Sequence, residues 1–84
     1  MEENNNIIQY RDYGKIDVIV KDMMDKKGIT KYEMAKRTGL KHQTVTAYYN
    51  NALQTRVDLD VLSKMCFVLK CNISDVLEYQ YPND

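Results

Sequence analysis

Gly39 to Asn51 reads GLKHQTVTAYYNN. This short stretch gathers a lysine, a histidine, a glutamine, two threonines, two tyrosines and two asparagines, side chains that donate or accept hydrogen bonds. After Leu40, Val45 and Tyr48 are the residues suited to a core. Such a set can make many directional, non-covalent contacts. Bond-making chemistry has few tools elsewhere in the chain. His42 is the one histidine, and no glycine-rich phosphate loop, Ser/His/Asp grouping or paired carboxylates can be placed. Neither an enzymatic activity nor a cofactor is expected. Cys66 and Cys71 lie in the apolar context MCFVLKC, and no second Cys or His pair completes a zinc set. Buried structural thiols are expected there, in preference to a disulfide or a metal site.

Charge is distributed more informatively than it is summed. The 84 residues carry 12 basic and 12 acidic side chains. Residues 26–56, however, hold seven basic residues against Glu33 alone, a net +6, whereas residues 1–25 and 57–84 are each at −3. A basic middle between acidic flanks presents a local positive field that a polyanion would feel. The length fits one small domain with a single core. No apolar run approaches the ~20 residues of a membrane span and the first 15 residues lack an apolar signal core, so a cytoplasmic protein with no membrane partner is expected.

The elements that must position the polar stretch can be read from periodicity. Residues 1–6 (MEENNN) are polar and aperiodic and are expected to fray. Ile7 to Tyr13 favours a short strand closed by Gly14. Ile16, Ile19, Val20, Met23 and Met24 form one apolar stripe, which predicts a helix from Lys15 to Gly28. Thr30-Lys31-Tyr32-Glu33 matches a capping box at the start of a second helix, with Met34, Ala35 and Thr38 inward and Gly39 as its end. Lys41 or His42 opens a third helix, which Asn50 and Asn51 terminate. Asp58 is a good N-cap for a fourth, with Leu59, Leu62, Met65, Cys66 and Leu69 as its stripe. Asn72 caps a short fifth helix containing Ile73, Val76 and Leu77, and the alternation Leu77, Tyr79, Tyr81 predicts a second short strand.

The second and third helices are short and meet in a turn around Gly39, with Ala35 four residues before it and Val45 six after. Two helices crossing at ~90–120° need a small residue at the close approach and a left-handed corner. From Ile16 to Tyr79 this spacing resembles the helix-turn-helix of the lambda-repressor/Cro-like, or xenobiotic-response-element, family of bacterial and phage regulators. VDLDVLSKMCFVLKCNISDVLEY looks like the last two helices of a compact subgroup. The resemblance implies an all-α, five-helix DNA-binding domain. The two ends, Ile7 to Tyr13 and Leu77 to Tyr81, are both short, aromatic and β-favouring, and are expected to pair as a small antiparallel ribbon away from the DNA face.

The resemblance also implies a use for the polar stretch. One face of the third helix would enter a DNA major groove, with Lys41, His42, Gln43, Thr46 and Ala47 at base edges. Gln43 could pair bidentately with adenine, Lys41 or His42 donate to guanine, and Ala47 meet a thymine methyl. Thr30, Lys31, Tyr32, Thr44, Tyr49, Asn50 and Arg56 would touch phosphates. Tyr48 and Tyr49 depart from the family pattern, which usually has an aliphatic or tryptophan and a glutamate there. The organisation expected is an N-terminal arm over residues 1–14, the DNA-binding domain over 15–81 and a tail over 82–84. The expected role is a transcriptional regulator, a repressor, that binds double-stranded DNA as a homodimer. The rival reading is a protein-interaction module or antitoxin on the same fold.

Overall fold

Lys15–Val18 forms a strand, β1, where the apolar stripe predicts the first turn of a helix. The computed structural model describes residues 12–53 and 56–82. In β1 the side chains alternate between faces, and Val18 is buried. Its partner is β2, Leu77–Gln80, antiparallel, with Ile16 opposite Tyr79 and Val18 opposite Leu77. The Ile19 amide donates to the Val76 carbonyl (2.8 Å), so the ladder's contact continues one step past β1 and the helix begins only at Val20. Strand pairing with the far end of the chain outcompetes the local 3.6-residue pattern. The terminal ribbon is therefore present, but it is built from Lys15–Val18. Asp12 to Gly14 are not strand, and residues 7–11 of the strand expected over Ile7–Tyr13 lie outside the described residues.

Among the described residues four α-helices lie between the two strands: α1 Val20–Lys27, α2 Lys31–Thr38, α3 His42–Tyr49 and α4 Leu59–Leu69. The expected fifth helix is a single 3-10 turn, Ile73–Asp75. There the Asn72 side chain accepts from the Asp75 amide, and the Asp75 carboxylate accepts from the Asn72 amide (3.0 Å), a complete capping box. The box read at Thr30 is half made. Thr30 Oγ1 accepts from the Glu33 amide (3.0 Å), while the Glu33 carboxylate turns along α2 to Arg37 Nε (2.9 Å). Asp58 caps α4 through the Asp60 amide (2.8 Å).

The core gathers one face of each helix. Met24, Met34, Leu62, Met65 and Leu69 are its largest fully buried side chains, and Val45 and Tyr48 represent α3. Leu59, expected in the α4 stripe, is 76% exposed and Val61 is buried in its stead. The helix starts at Leu59, so that residue projects past the end of the core rather than into it. Cys66 and Cys71 are free and half-buried rather than buried. The Cys71 amide donates to the Cys66 carbonyl (3.1 Å) where Lys70 turns left-handed (φ 53°), the Schellman closure of α4. Burial, with Cys66 beside it, pushes the Cys71 thiol up to about 11, which makes it a poor nucleophile. Among the described residues no helix is long and apolar enough to cross a membrane.

Gly14 opens the ribbon at φ 81°, where a Cβ would overlap the Gln80 carbonyl oxygen and the Tyr79 hydroxyl. Gly14→Ala should therefore lower stability by roughly 1–3 kcal/mol through combined backbone strain and overpacking. Urea denaturation measures this, and an unchanged midpoint would mean that the ribbon contributes nothing to stability.

Candidate nucleic-acid interface

The α2–α3 corner is built as its residue types require. Gly39 ends α2 at φ 76°, and its amide donates to the Ala35 carbonyl (2.9 Å). The Thr38 hydroxyl donates to the Met34 carbonyl (2.7 Å) and accepts from the Leu40 amide (3.2 Å). Ala35 and Leu40 pack partly buried against the core, and Val45 is fully buried. A small residue, a left-handed corner and a buried aliphatic therefore fix the crossing, as the spacing predicts.

Lys41 caps α3 in an extended conformation without a side-chain hydrogen bond. Lys41, His42 and Gln43 are exposed together at the start of α3, with Thr46 and Ala47 half-buried one turn on. Thr46 Oγ1 lies 3.4 Å from His42 Nδ1, close to the limit of a hydrogen bond. Val45 and Tyr48 point the other way, into the core. The α3 residues expected at base edges therefore occupy its non-core side.

The residues expected at phosphates are less uniform. Thr30 and Tyr32 are exposed at the start of α2, Tyr32 by 69%, and Thr44 is half-buried on α3. Asn50 is exposed beyond α3. Arg56 is exposed and lines a 640 Å³ cleft with β1, Asn51, Leu53 and Val57, which groups it with the ribbon. Tyr49 is half-buried, and its hydroxyl donates to Asp25 Oδ1 on α1 (2.8 Å). Lys21 Nζ donates to the other oxygen of Asp25 (2.9 Å). These two donors hold the Asp25 carboxyl below its ordinary range, and the bond to Asp25 raises the Tyr49 hydroxyl. Lys31 Nζ sits 4.8 Å from the centre of the Tyr49 ring.

Two further ties hold the C-terminal end of α3, and sequence reasoning missed both. The Tyr48 hydroxyl accepts from the Asp58 amide at the α4 cap (2.8 Å). Asn51, left-handed at φ 54°, accepts from the Val18 amide through Oδ1 (2.8 Å) and donates from Nδ2 to Asp17 Oδ1 (3.0 Å). Counting Tyr49, the end of this helix is fastened to α1, to α4 and to β1. The i,i+4 spacing of Lys21 and Asp25 was legible as a surface pair. Nothing in the sequence pairs Asp25 with Tyr49, or Asn51 with Val18.

Residues 20–82 match the Cro/C1-type HTH DNA-binding domain, and the chain belongs to that family. Among solved structures, it is similar to a candidate DNA-binding protein from Bacteroides fragilis, with 19% identity and a TM-score of 0.67 over 76% of this chain and 100% of that one. It is also similar to the transcriptional regulator VanUg, with 20% identity and a TM-score of 0.65 over 87% of this chain and 95% of that one. At these identities the likeness is one of fold. No curated protein matches the chain closely enough to serve as a relative.

Asn51→Gly keeps the left-handed backbone and removes the side-chain ties to β1. It should cost about 1–2 kcal/mol, because the part-buried Val18 amide loses its acceptor. Thermal denaturation reads the loss; stability equal to wild type would show that the Asn51 bridge is not made in solution.

Proposed function

We propose that this protein binds double-stranded DNA sequence-specifically through α3 and regulates transcription, as a repressor that occupies its site. One observation carries the reading: α3 commits only Val45 and Tyr48 to the buried core and leaves Lys41, His42 and Gln43 exposed at its free end, inside a domain of this family. Gln43 reads adenine by a bidentate pair, Lys41 and His42 donate to guanine, and Thr46 and Ala47 complete the base face. Thr30, Lys31, Tyr32, Thr44 and Asn50 grip the backbone, with Arg56 reaching phosphates further along it. The DNA-binding unit is residues 15–81, preceded by an arm over 1–14 and followed by a tail over 82–84. The basic stretch 26–56 supplies the long-range attraction.

Selecting duplexes from a random pool tests this directly. Gln43→Ala should weaken the selected site by ~1–3 kcal/mol and relax its base preference, whereas Lys31→Ala should weaken all sequences about equally. A protein that retains no duplex, or one in which both variants behave alike on selected and random DNA, overturns the assignment.

Recognition by one short helix covers few base pairs, and a second copy placing its α3 ~34 Å away would read two half-sites. The ribbon is the surface we assign to that pairing. Ile16 is 63% and Tyr79 46% exposed across from one another, with Tyr81 82% exposed beyond them. An isolated two-stranded ribbon gains stability by packing on something more. Ile16→Glu should shift the protein towards monomer and weaken a two-half-site duplex while leaving a single half-site unaffected. Sedimentation of wild type as a monomer, both free and on the two-half-site duplex, overturns the dimer.

A further inference from the structure

We propose that Tyr49 is the positioning residue for Lys31, its ring serving as the platform that holds the lysine ammonium against a phosphodiester of the duplex. The proposal rests on the DNA-binding reading and adds a role that residue type alone does not suggest, since a tyrosine at the end of α3 looks like a phosphate donor in its own right. Its hydroxyl is engaged by Asp25 at 2.8 Å.

The geometry divides the labour among four side chains. Lys31 is the first residue of α2, and Thr30, Lys31 and Tyr49 line one shallow cleft with Asp25. Lysine is a flexible point charge whose ammonium would otherwise sweep a wide volume. The Tyr49 ring, 4.8 Å away, attracts the cation through its quadrupole and narrows that volume. Among the described residues Lys31 makes no ion pair, so its charge stays available to an anion. The ring in turn is oriented by Asp25, and Asp25 is satisfied on its second oxygen by Lys21 at 2.9 Å. Lys21 Nζ lies 5.5 Å from the same ring centre. A carboxylate so close to a phosphate grip would repel DNA if left bare; here Lys21 and the Tyr49 hydroxyl neutralise and occupy it. The positive end of α2 adds to the field at Lys31.

A double-mutant cycle on the full chain tests the proposal, with Kd measured on the selected duplex and on random duplex across a salt series. Tyr49→Leu should weaken both duplexes by the same factor, roughly three- to ten-fold, and lower the salt slope by about one ion. Lys31→Ala should do likewise, and the double variant should bind no worse than Lys31→Ala alone. Tyr49→Phe, which keeps the ring and loses the Asp25 bond, should fall between wild type and Tyr49→Leu. A second readout needs no DNA: the Lys31 ε-methylene protons should be shifted upfield by the ring in wild type and released in Tyr49→Leu. A merely structural Tyr49 would lower the melting temperature and weaken binding equally in both Lys31 backgrounds. Additive losses in the double variant, or unshifted Lys31 protons in wild type, overturn the proposal while leaving DNA binding intact. Failure of wild type to retain any duplex from the random pool overturns the DNA reading and this role together, and is recognised as such because the Lys31 shift persists.

Discussion

A helix with a narrow apolar face has little surface with which to hold itself in place, and α3 shows how that constraint is met. Val45 and Tyr48 are its buried side chains. Its remaining fastening is by hydrogen bonds at the C-terminal end: Tyr48 to the α4 cap, Tyr49 to α1, and Asn51, just past the helix, to β1. Each links α3, or the residue just past it, to a different element. Among the described residues, the exposed N-terminal end, Lys41 to Gln43, carries no such ties in its side chains beyond the weak His42–Thr46 contact.

The ribbon is part of the same solution. By pairing Lys15–Val18 with Leu77–Gln80 the chain joins its two ends beside the bundle. It thereby creates the Val18 amide and Asp17 carboxylate that Asn51 grasps. The ribbon is consequently coupled, through one asparagine, to the end of α3. The charge pattern agrees. The acidic flanks supply both strands, while the basic middle supplies α2 and α3. Attraction for a polyanion is concentrated in the segment that carries the proposed contacts.

Tyr48 and Tyr49 also explain how a departure from the common family pattern is accommodated. Tyr48 fills the aliphatic position with its ring and finds an amide for its hydroxyl, as a buried tyrosine must. Tyr49, where the resemblance leads one to expect a glutamate, bonds through its hydroxyl to an acid of another helix, Asp25.

Much of this is legible in the residues themselves. The helices α2, α3 and α4, the glycine corner, the Thr30 and Asp58 caps and the exposed start of α3 all rest on interactions within a few residues, and local physics suffices to state them. The stripe at Ile16 misleads because, over so short a span, Ile16 and Val18 fit a strand's alternation as readily as Ile16, Ile19 and Val20 fit a helical period. Only the partner strand, some sixty residues away, selects the extended form. The fifth helix is cut to one turn because β2 claims the chain from Leu77 to Gln80. At the site, the sequence determined which side chains α3 would carry and that its core face would be narrow. What only the tertiary structure decided was which distant groups would hold it: Asp25 for Tyr49, the Asp58 amide for Tyr48, the Val18 amide and Asp17 for Asn51. These bonds join residues up to 34 positions apart, and no local propensity encodes a partner that folding alone brings within reach.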